Sequence, residues 1–445
     1  MIDGLRPYPD IKQTGLPWLG DVPAHWDVRR NGRLFGARRE IGFPDLPVLE
    51  VSISRGVRIR DFDGGGRKQE MADRSKYQRA ARGDIAYNMM RMWQGAVGIA
   101  PADGLVSPAY VVARPFSETD APYYAYLFRT AAYMRETDVF SRGIVPDRNR
   151  LYWESFKQMS SVYPPIDEQR LIVRFLDWHG AQTAKLIRAK KKLIALLNEQ
   201  KQAIISRAVT RGLNPNAKLK ASGIPWLGDV PSDWEVKRLK WVTRLQRGYD
   251  LPADRRIAGP YPVVSSGGVI DYHTEYKVHA PGVVMGRYGS TEAVLYIEND
   301  FWPHNTSLFV TDFQGNLPLW CYYLLRTIPK ADHSGKSAVP GVDRKDLFDI
   351  VVTVPTYAEQ IEVVKGIEDR SKELNKAISA VEREVALVLE FRLRLIADVV
   401  TGKLDVRLAA ASLPEAIDFE PAGLLPDDEA AELDLDQPGT EELAA

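Results

Sequence analysis

The chain contains a single cysteine, Cys321, in 445 residues. A lone thiol excludes an intramolecular disulfide and any multi-cysteine zinc site, and it fits a reducing cytoplasm. Within "LPLWCYYLLRT" it reads as a buried apolar residue. No run approaches the ~18 apolar residues that a spanning helix needs, and Met1 to Asp10 has no charged and then apolar leader. The expectation is a cytoplasmic protein with no membrane partner.

Catalytic signatures are also missing. The histidines, His25, His179, His273, His279, His304 and His333, show no i, i+4 pairing on a helix. There is no G-x-S-x-G elbow and no Asn-Pro-Pro-aromatic segment. "SGKS" at 334 to 337 ends like a phosphate loop, but the glycine that should precede it falls on Lys330. "GGG" at 64 to 66 opens no helix and reads as a turn. A metal-nuclease spacing can be forced on Asp229, Glu235 and Lys237. The matching first-copy residues are Asp21, Asp27 and Arg29, and both sets sit inside a repeated tryptophan motif as charged turn residues. These blanks point to a binding protein, with no metal or cofactor expected on this chain.

Basic residues are missing from one region only. From Leu408 to Ala445 there are eleven Asp or Glu and no Lys or Arg, so residues 1 to 407 carry 59 basic against 48 acidic residues, a formal charge of +11. The body is basic, and the tail reads as a disordered, solvating extension.

What the sequence does have is an internal repeat. "GLPWLGDVPAHWDV" (15 to 28) returns as "GIPWLGDVPSDWEV" (223 to 236). At an offset of 208, Thr14 to Arg30 matches Ser222 to Arg238 at eleven of seventeen positions. Glu168-Gln169 and the later "VTRGL" correspond to Glu359-Gln360 and "VTGKL" at an offset of 191. The order is therefore block, helix, block, helix, a duplicated unit whose ends are alike and whose middle has drifted.

Leu374, Ile378, Val381, Val385, Val388 and Leu395 follow the 4, 3, 4, 3, 7 spacing of a coiled-coil seam. Leu171, Phe175, Trp178, Leu186, Leu193, Leu197 and Ile204 form a looser stripe in the first helical segment. Two such stripes in one chain bury each other most simply as an antiparallel pair holding the blocks at opposite ends. Residues 168 to 211 carry ten basic and three acidic residues, and residues 359 to 403 eight and nine, so charge favours the pairing. The exposed basic run "IRAKKKL" reads by default as a solvated helix face.

The blocks are strand-and-turn text. "DIAYNMMRMWQGAVGIA" and "VVMGRYGSTEAVLYIEN" read as hairpins, followed by short helices at "APYYAYLFRTAAYM" and "LPLWCYYLLRTIP". The predicted class is α+β: two pseudo-two-fold related mixed α/β domains joined by two long antiparallel coiled-coil helices. The boundaries are 1 to 163 and 214 to 354 for the blocks, 164 to 213 and 355 to 407 for the helices, and 408 to 445 for the acidic tail.

Arg, aromatic, Ser and Asn residues cluster in the segments read as loops, "ISRGVRIR", "NMMRMWQ", "SRGIVPDRNR", "QRGYD", "SSGG", "GRYGS", "HNTS" and "HSGKS". Arg reads guanine edges and clamps phosphates, Asn pairs with adenine, and Ser and Thr fix register on the backbone. Such clusters in both copies of a basic body point to DNA.

The two tryptophan motifs, the "PPIDEQ" and "PTYAEQ" that open the long helices, and the block order together resemble the specificity subunit of type I restriction-modification systems. The resemblance covers about 400 of the 445 residues, all but the tail. It implies two target recognition domains, each reading half of a bipartite duplex site, with the helices as spacer. It also implies two adenine methyltransferase subunits that hold S-adenosylmethionine, restriction and translocation subunits as further partners, and no catalytic site on this chain. Trp18/Trp226 and Trp26/Trp234 are the same in both copies, so "PWLGDVP" is assigned to packing of the blocks or to contact with the helices and methyltransferases, and the candidate readers lie in the drifted middle: Arg91, Trp93, Arg142 and Arg148, then Ser265, Arg287, Tyr288 and Lys336. The main rival is a duplicated coiled-coil scaffold whose blocks bind protein. A self-contained nuclease or methyltransferase is the second.

Overall fold

The computed structural model describes residues 5–60, 74–143, 149–287, 294–329 and 344–414. The chain forms two compact units, Met1–Lys191 with Arg383–Ala445, and Lys192–Glu382. Two long helices, Ile166–Arg211 and Tyr357–Val400, each contribute one part to each unit. At 1.5 Å per residue the 46-residue helix is ~69 Å long.

Local chemistry sets where these helices start and stop. The second opens with a capping box: the Thr356 hydroxyl accepts from the Glu359 amide, and the Glu359 carboxylate accepts from the Thr356 amide at 3.0 Å. The first follows Pro164 and Pro165 and carries Asp167 and Glu168 in its first turn, where the helix dipole favours acids. Gly212 (φ +71°) and Gly402 (φ +77°) lie just beyond the two C-terminal ends, in the left-handed region open to glycine.

In the first unit the strands Phe35–Arg38, Tyr110–Pro115, Ile85–Asn88 and Val97–Ile99 form an antiparallel sheet in that order. The helix Ala121–Phe128 is capped by Asp120, and Ala131–Phe140 by Thr130. The expected helical text at 121 to 134 is thus two helices, because the Thr130 cap starts a new one. Tyr123, Tyr124, Leu127 and Phe128 are fully buried in one core with Ile172, Phe175 and Leu176 of the first long helix and Leu395, Ile396, Val399 and Val400 of the second. Ascending numbers on one helix meet descending numbers on the other, and Lys190 pairs with Glu384. The two helices are antiparallel within this unit.

The second unit repeats the plan. The strands Arg244–Arg247, Ser307–Asp312, Gly282–Gly286 and Val294–Ile297 form a four-stranded sheet of the same order, and the helix Pro318–Thr327 packs on it. Tyr261–Ser265 adds a second sheet with Gly268–His273 and Trp302–Pro303. Ile205, Ala208 and Val209 share the core with Val363, Val364 and Ile367, and Lys201 donates to Asn375 at 2.7 Å, so the helices run antiparallel here too. Cys321 is fully buried, as expected, and burial pushes its thiol pKa up.

The seam of the second long helix is as expected, with Ile378, Val385 and Leu395 buried. The stripe of the first holds at Phe175, which is buried, and needs correction further along. Leu186 and Leu193 are 45% and 44% exposed, while the buried face runs through Ile172, Leu176, Ile187, Ile205 and Ala208. That face includes Lys190 and Lys201, whose side chains reach partners on the other helix, so hydrophobicity alone points to the wrong set. "IRAKKKL" is correspondingly not a wholly solvated face, since Ile187 is buried and Lys190 is ion-paired.

The repeated tryptophan motifs pack on helix ends. In the first unit Trp26 is fully buried with Tyr8, Val22, Val399 and Val400, and the Tyr123 hydroxyl donates to the Val400 carbonyl at 2.7 Å. In the second unit Trp234 packs with Ile205, Ala208 and Val209. Gly402 faces Pro23 and Trp26, and Gly212 faces Trp234.

The repeated Glu-Gln pairs act at the opposite helix ends. Gln169 accepts from the Asp120 amide at 2.9 Å and donates to the Pro164 carbonyl at 2.8 Å. Gln360 accepts from the Leu317 amide at 2.8 Å and donates to the Pro355 carbonyl at 3.2 Å. Asp120 and Leu317 are the N-caps of the corresponding block helices. Each glutamine therefore ties the start of a block helix to the start of a long helix.

A Cβ at Gly402 would lie 2.3 Å from Pro23 and 2.9 Å from Trp26. Gly402→Ala is expected to destabilise the first unit by about 2–4 kcal/mol, combining positive-φ strain with overpacking. Gly15→Ala has a similar φ of +72° and open space around it, and should cost only about 1 kcal/mol. Chemical denaturation of the two variants checks the difference; equal losses would remove the packing role assigned to Gly402.

Candidate functional site

In the first unit the hairpin Ile85–Asn88 to Val97–Ile99 carries a tight 3-10 turn, Met92–Gln94, closed by Gly95 at φ +90°. Arg91 donates to the Gln94 side chain at 3.1 Å, and the Trp93 indole N–H donates to the Met90 carbonyl at 2.9 Å. Both side chains are half-buried. Arg142 lies on an adjacent segment: it exchanges two backbone hydrogen bonds of 3.0 Å with Arg150, and the next amide, Leu151, donates to the Met89 carbonyl at 2.8 Å. Two of the sequence clusters are thus stitched together. Arg148 lies outside the described residues.

Beside this junction is an open cleft of about 480 Å³, lined among others by Arg39, Gln78, Met89, Tyr110, Arg142 and Tyr152. Tyr152 is 45% exposed. Arg38, on the same rim, is held by Asp84 at 2.6 Å and by Glu40 at 2.6 Å, so it is a structural cation. Arg39 and Arg142 are exposed and make no ion pair among the described residues.

In the second unit four loops separated in sequence converge. Gly248 and Tyr249 of "QRGYD" donate to the Ser307 and Pro303 carbonyls at 3.0 and 2.8 Å. The His304 amide donates to the Val264 carbonyl at 2.8 Å, next to Ser265 of "SSGG", and the Arg287 amide of "GRYGS" donates to the Thr306 carbonyl at 3.1 Å. The turn "HNTS", 304 to 307, is the hub. A Cβ at Gly248 would fall 2.1 Å from the His304 carbonyl oxygen, so this approach requires glycine. Ser265 accepts from the Gly267 amide and donates to the Gly268 carbonyl, both at 3.3 Å, which fixes its own turn. Tyr288 and Lys336, like "HSGKS", lie outside the described residues.

Sheet register aligns the two sites. Asn88 pairs with Tyr110 and Gly286 with Ser307 at the same end of equivalent strands. The loop after Asn88 thus corresponds to the loop after Gly286. Arg38 pairs with Val112 and Gln246 with Phe309, which makes Arg39 and Arg247 equivalent. Neither arginine stands among the sequence candidates, although the offset of 208 that relates the tryptophan motifs relates them too. That offset is the signal that finds them.

Among the described residues, no three His, Cys, Asp or Glu side chains are grouped so as to hold a metal ion. Glu235 and Lys237, from the forced nuclease spacing, pair with each other on an exposed strand. No helix of the described residues is long and apolar enough to cross a membrane.

The fold and its paired loop clusters define a class, a duplicated α/β protein built on two shared helices. A family model for the type I restriction modification DNA specificity domain matches residues 231–383. A type I restriction enzyme specificity subunit of Methanocaldococcus jannaschii, MjaX, is 24% identical over 438 residues, covering 87% of this chain and 96% of that protein. The MjaVIII specificity subunit of the same organism is 32% identical over 93 residues, 21% of this chain and 20% of its own length. A solved chain described under complex assembly and conformational transition of the type I R-M system superposes with a TM-score of 0.60 at 13% identity, covering 85% of this chain and 98% of that one, a likeness of fold. Residues 231–383 thus match the type I restriction modification DNA specificity domain, and over most of its length the chain is similar to type I specificity subunits.

His304, at the hub of the second site, is lowered from the ordinary 6.5 by burial and then by the Arg256 cation, with Asp250 opposing. A histidine lowered in the folded state stays neutral while the unfolded chain takes up its proton. The second unit should therefore lose stability as pH falls from about 6.5 towards the folded value. NMR titration of the His304 ring is expected to give a midpoint below 6.5; a midpoint at or above it contradicts this assignment.

Proposed function

We propose that the chain is the DNA sequence-recognition subunit of a type I restriction-modification complex. Each block reads one half of a bipartite duplex site, and the paired long helices act as the spacer. The observation that carries this is the repetition of the whole reading plan: the same four-stranded sheet order in both units, with polar, Arg-bearing loops gathered at the same sheet end. The base-facing residues differ between the copies, as two different half-sites require.

On this reading the chemistry belongs to partners. Two adenine methyltransferase subunits hold S-adenosylmethionine and modify one adenine per half, while restriction and translocation subunits cut. This chain supplies selection and geometry and has no catalytic step of its own. Arg91, Trp93, Arg142 and Arg148 serve the first half, and Ser265, Arg287, Tyr288 and Lys336 the second. The body's charge of +11 over residues 1 to 407 favours duplex phosphates.

Co-expression with the adjacent methyltransferase gene, followed by genome-wide mapping of methylated adenines, tests the reading. The expected product is a split motif with a fixed unspecified gap. Methylation that is absent despite complex formation favours the protein-binding scaffold instead. In the same assay Gly248→Ala, which displaces the 304 to 307 hub, is expected to relax or abolish one half of the motif and leave the other half as it was.

A further inference from the structure

The tryptophan motifs are alike in both copies because they pack on helix ends. Arg39 and Arg247 are also alike, but they do not pack. They are related by the offset of the motifs, by strand register, and by position at the end of the sheet where the loops gather. Between them and the motif almost nothing else is retained: "NGRLFGAR" stands against "LKWVTRLQ". Both side chains are exposed. Arg39 makes no hydrogen bond or ion pair among the described residues, and it lines the cleft with Arg142 and Tyr152. Arg247 donates to the Asn305 carbonyl at 3.2 Å, which aims it along the hub turn without neutralising it.

The acids that reach Arg38, the residue before Arg39, are already engaged. Glu40 is shared by Arg38 and Arg79, and Asp84 is held by Arg38. In the second unit Asp250 accepts from Asn305. Each copy thus keeps one cation at the same register position beside its reading loops, with the neighbouring carboxylates engaged elsewhere.

We propose that Arg39 and Arg247 are equivalent, sequence-independent phosphate contacts, one per half-site, that set the register of the duplex against the variable loops. This rests on the DNA-recognition reading and deepens it. Two blocks that read different half-sequences have little reason to keep the same residue for base readout. They can use it for the backbone, which is the same in every sequence. A guanidinium without a carboxylate partner keeps its full charge for that contact.

The test measures affinity against salt for the chain with its co-expressed methyltransferase, on a duplex carrying the mapped site and on an unrelated duplex. Removing one phosphate contact lowers the log–log salt slope by ~0.9, which is about an eightfold loss at ~0.1 M salt. Arg39→Ala and Arg247→Ala should each produce that loss on both duplexes and leave the methylated motif unchanged. Arg39→Lys and Arg247→Lys, which keep the charge and lose the planar fork, should retain most of the affinity. A loss confined to the cognate duplex, or a changed base in the motif, overturns the proposal in favour of base readout. Unchanged affinity in both alanine variants overturns it outright. Failure of the unsubstituted complex to bind any duplex overturns the DNA reading itself, and is told apart by needing no variant.

Discussion

The rest of the structure depends on how each block is fastened to the long helices. Every block is held at two places, a tryptophan against the end of one helix and a glutamine under the start of the other. For the first block the helix end is supplied by residues at the far end of the described chain. Leu395, Ile396, Val399, Val400, Val406 and Ala410 all stand in the same core as Trp26 and Tyr123. The first block therefore completes its core only when the second long helix is in place. The Arg6 to Asp405 bridge adds a backbone tie between the two ends. Contacts so distant in sequence carry a large closure entropy and form slowly, so this unit should be the later of the two to consolidate.

The glutamines add orientation to this anchoring. A side-chain amide that accepts from the N-cap amide of a block helix and donates to the proline carbonyl just before a long helix fixes a direction as well as a distance. Unpaired amides at buried helix starts are costly, which gives the Glu-Gln pair a physical reason to occur twice. Its glutamate has diverged in partner though not in identity. Glu168 receives Tyr8 and His25, whereas Glu359 caps its own helix with Thr356 and accepts from the Trp234 indole at 3.3 Å. Trp26, with Glu168 occupied, has no partner for its indole N–H among the described residues.

The anchoring parts were legible in the sequence because the same residues recur at fixed offsets. In the middle the two hairpins and the short helices after them were legible, but their sheet order and loop contacts were not, because a sheet fixes pairing geometry and not residue type. "DIAYNMMRMWQ" and "VVMGRYGSTEA" share little, yet their strands hold the same place in the same order. Loops such as "QRGYD" and "HNTS" are far apart in the chain, and nothing local tells that Tyr249 will bond Pro303. The helix stripe failed for another reason. Leucine dominates a hydrophobicity count, but in its middle the face that meets the partner helix uses Ile187 and two lysines with paired heads where Leu186 and Leu193 were expected.

The duplication supplies its own control for assigning roles. Positions that are alike and buried, such as Trp26 with Trp234 or Leu127 with Leu324, hold the fold. Positions that differ at matching register, such as Met89 with Arg287 in the loops that follow the paired strands, leave room for two different targets. Arg39 with Arg247 is alike and exposed, and fits neither group. A residue kept at the surface of two readers suits something that both targets have in common, and duplex DNA offers that in its sugar-phosphate backbone.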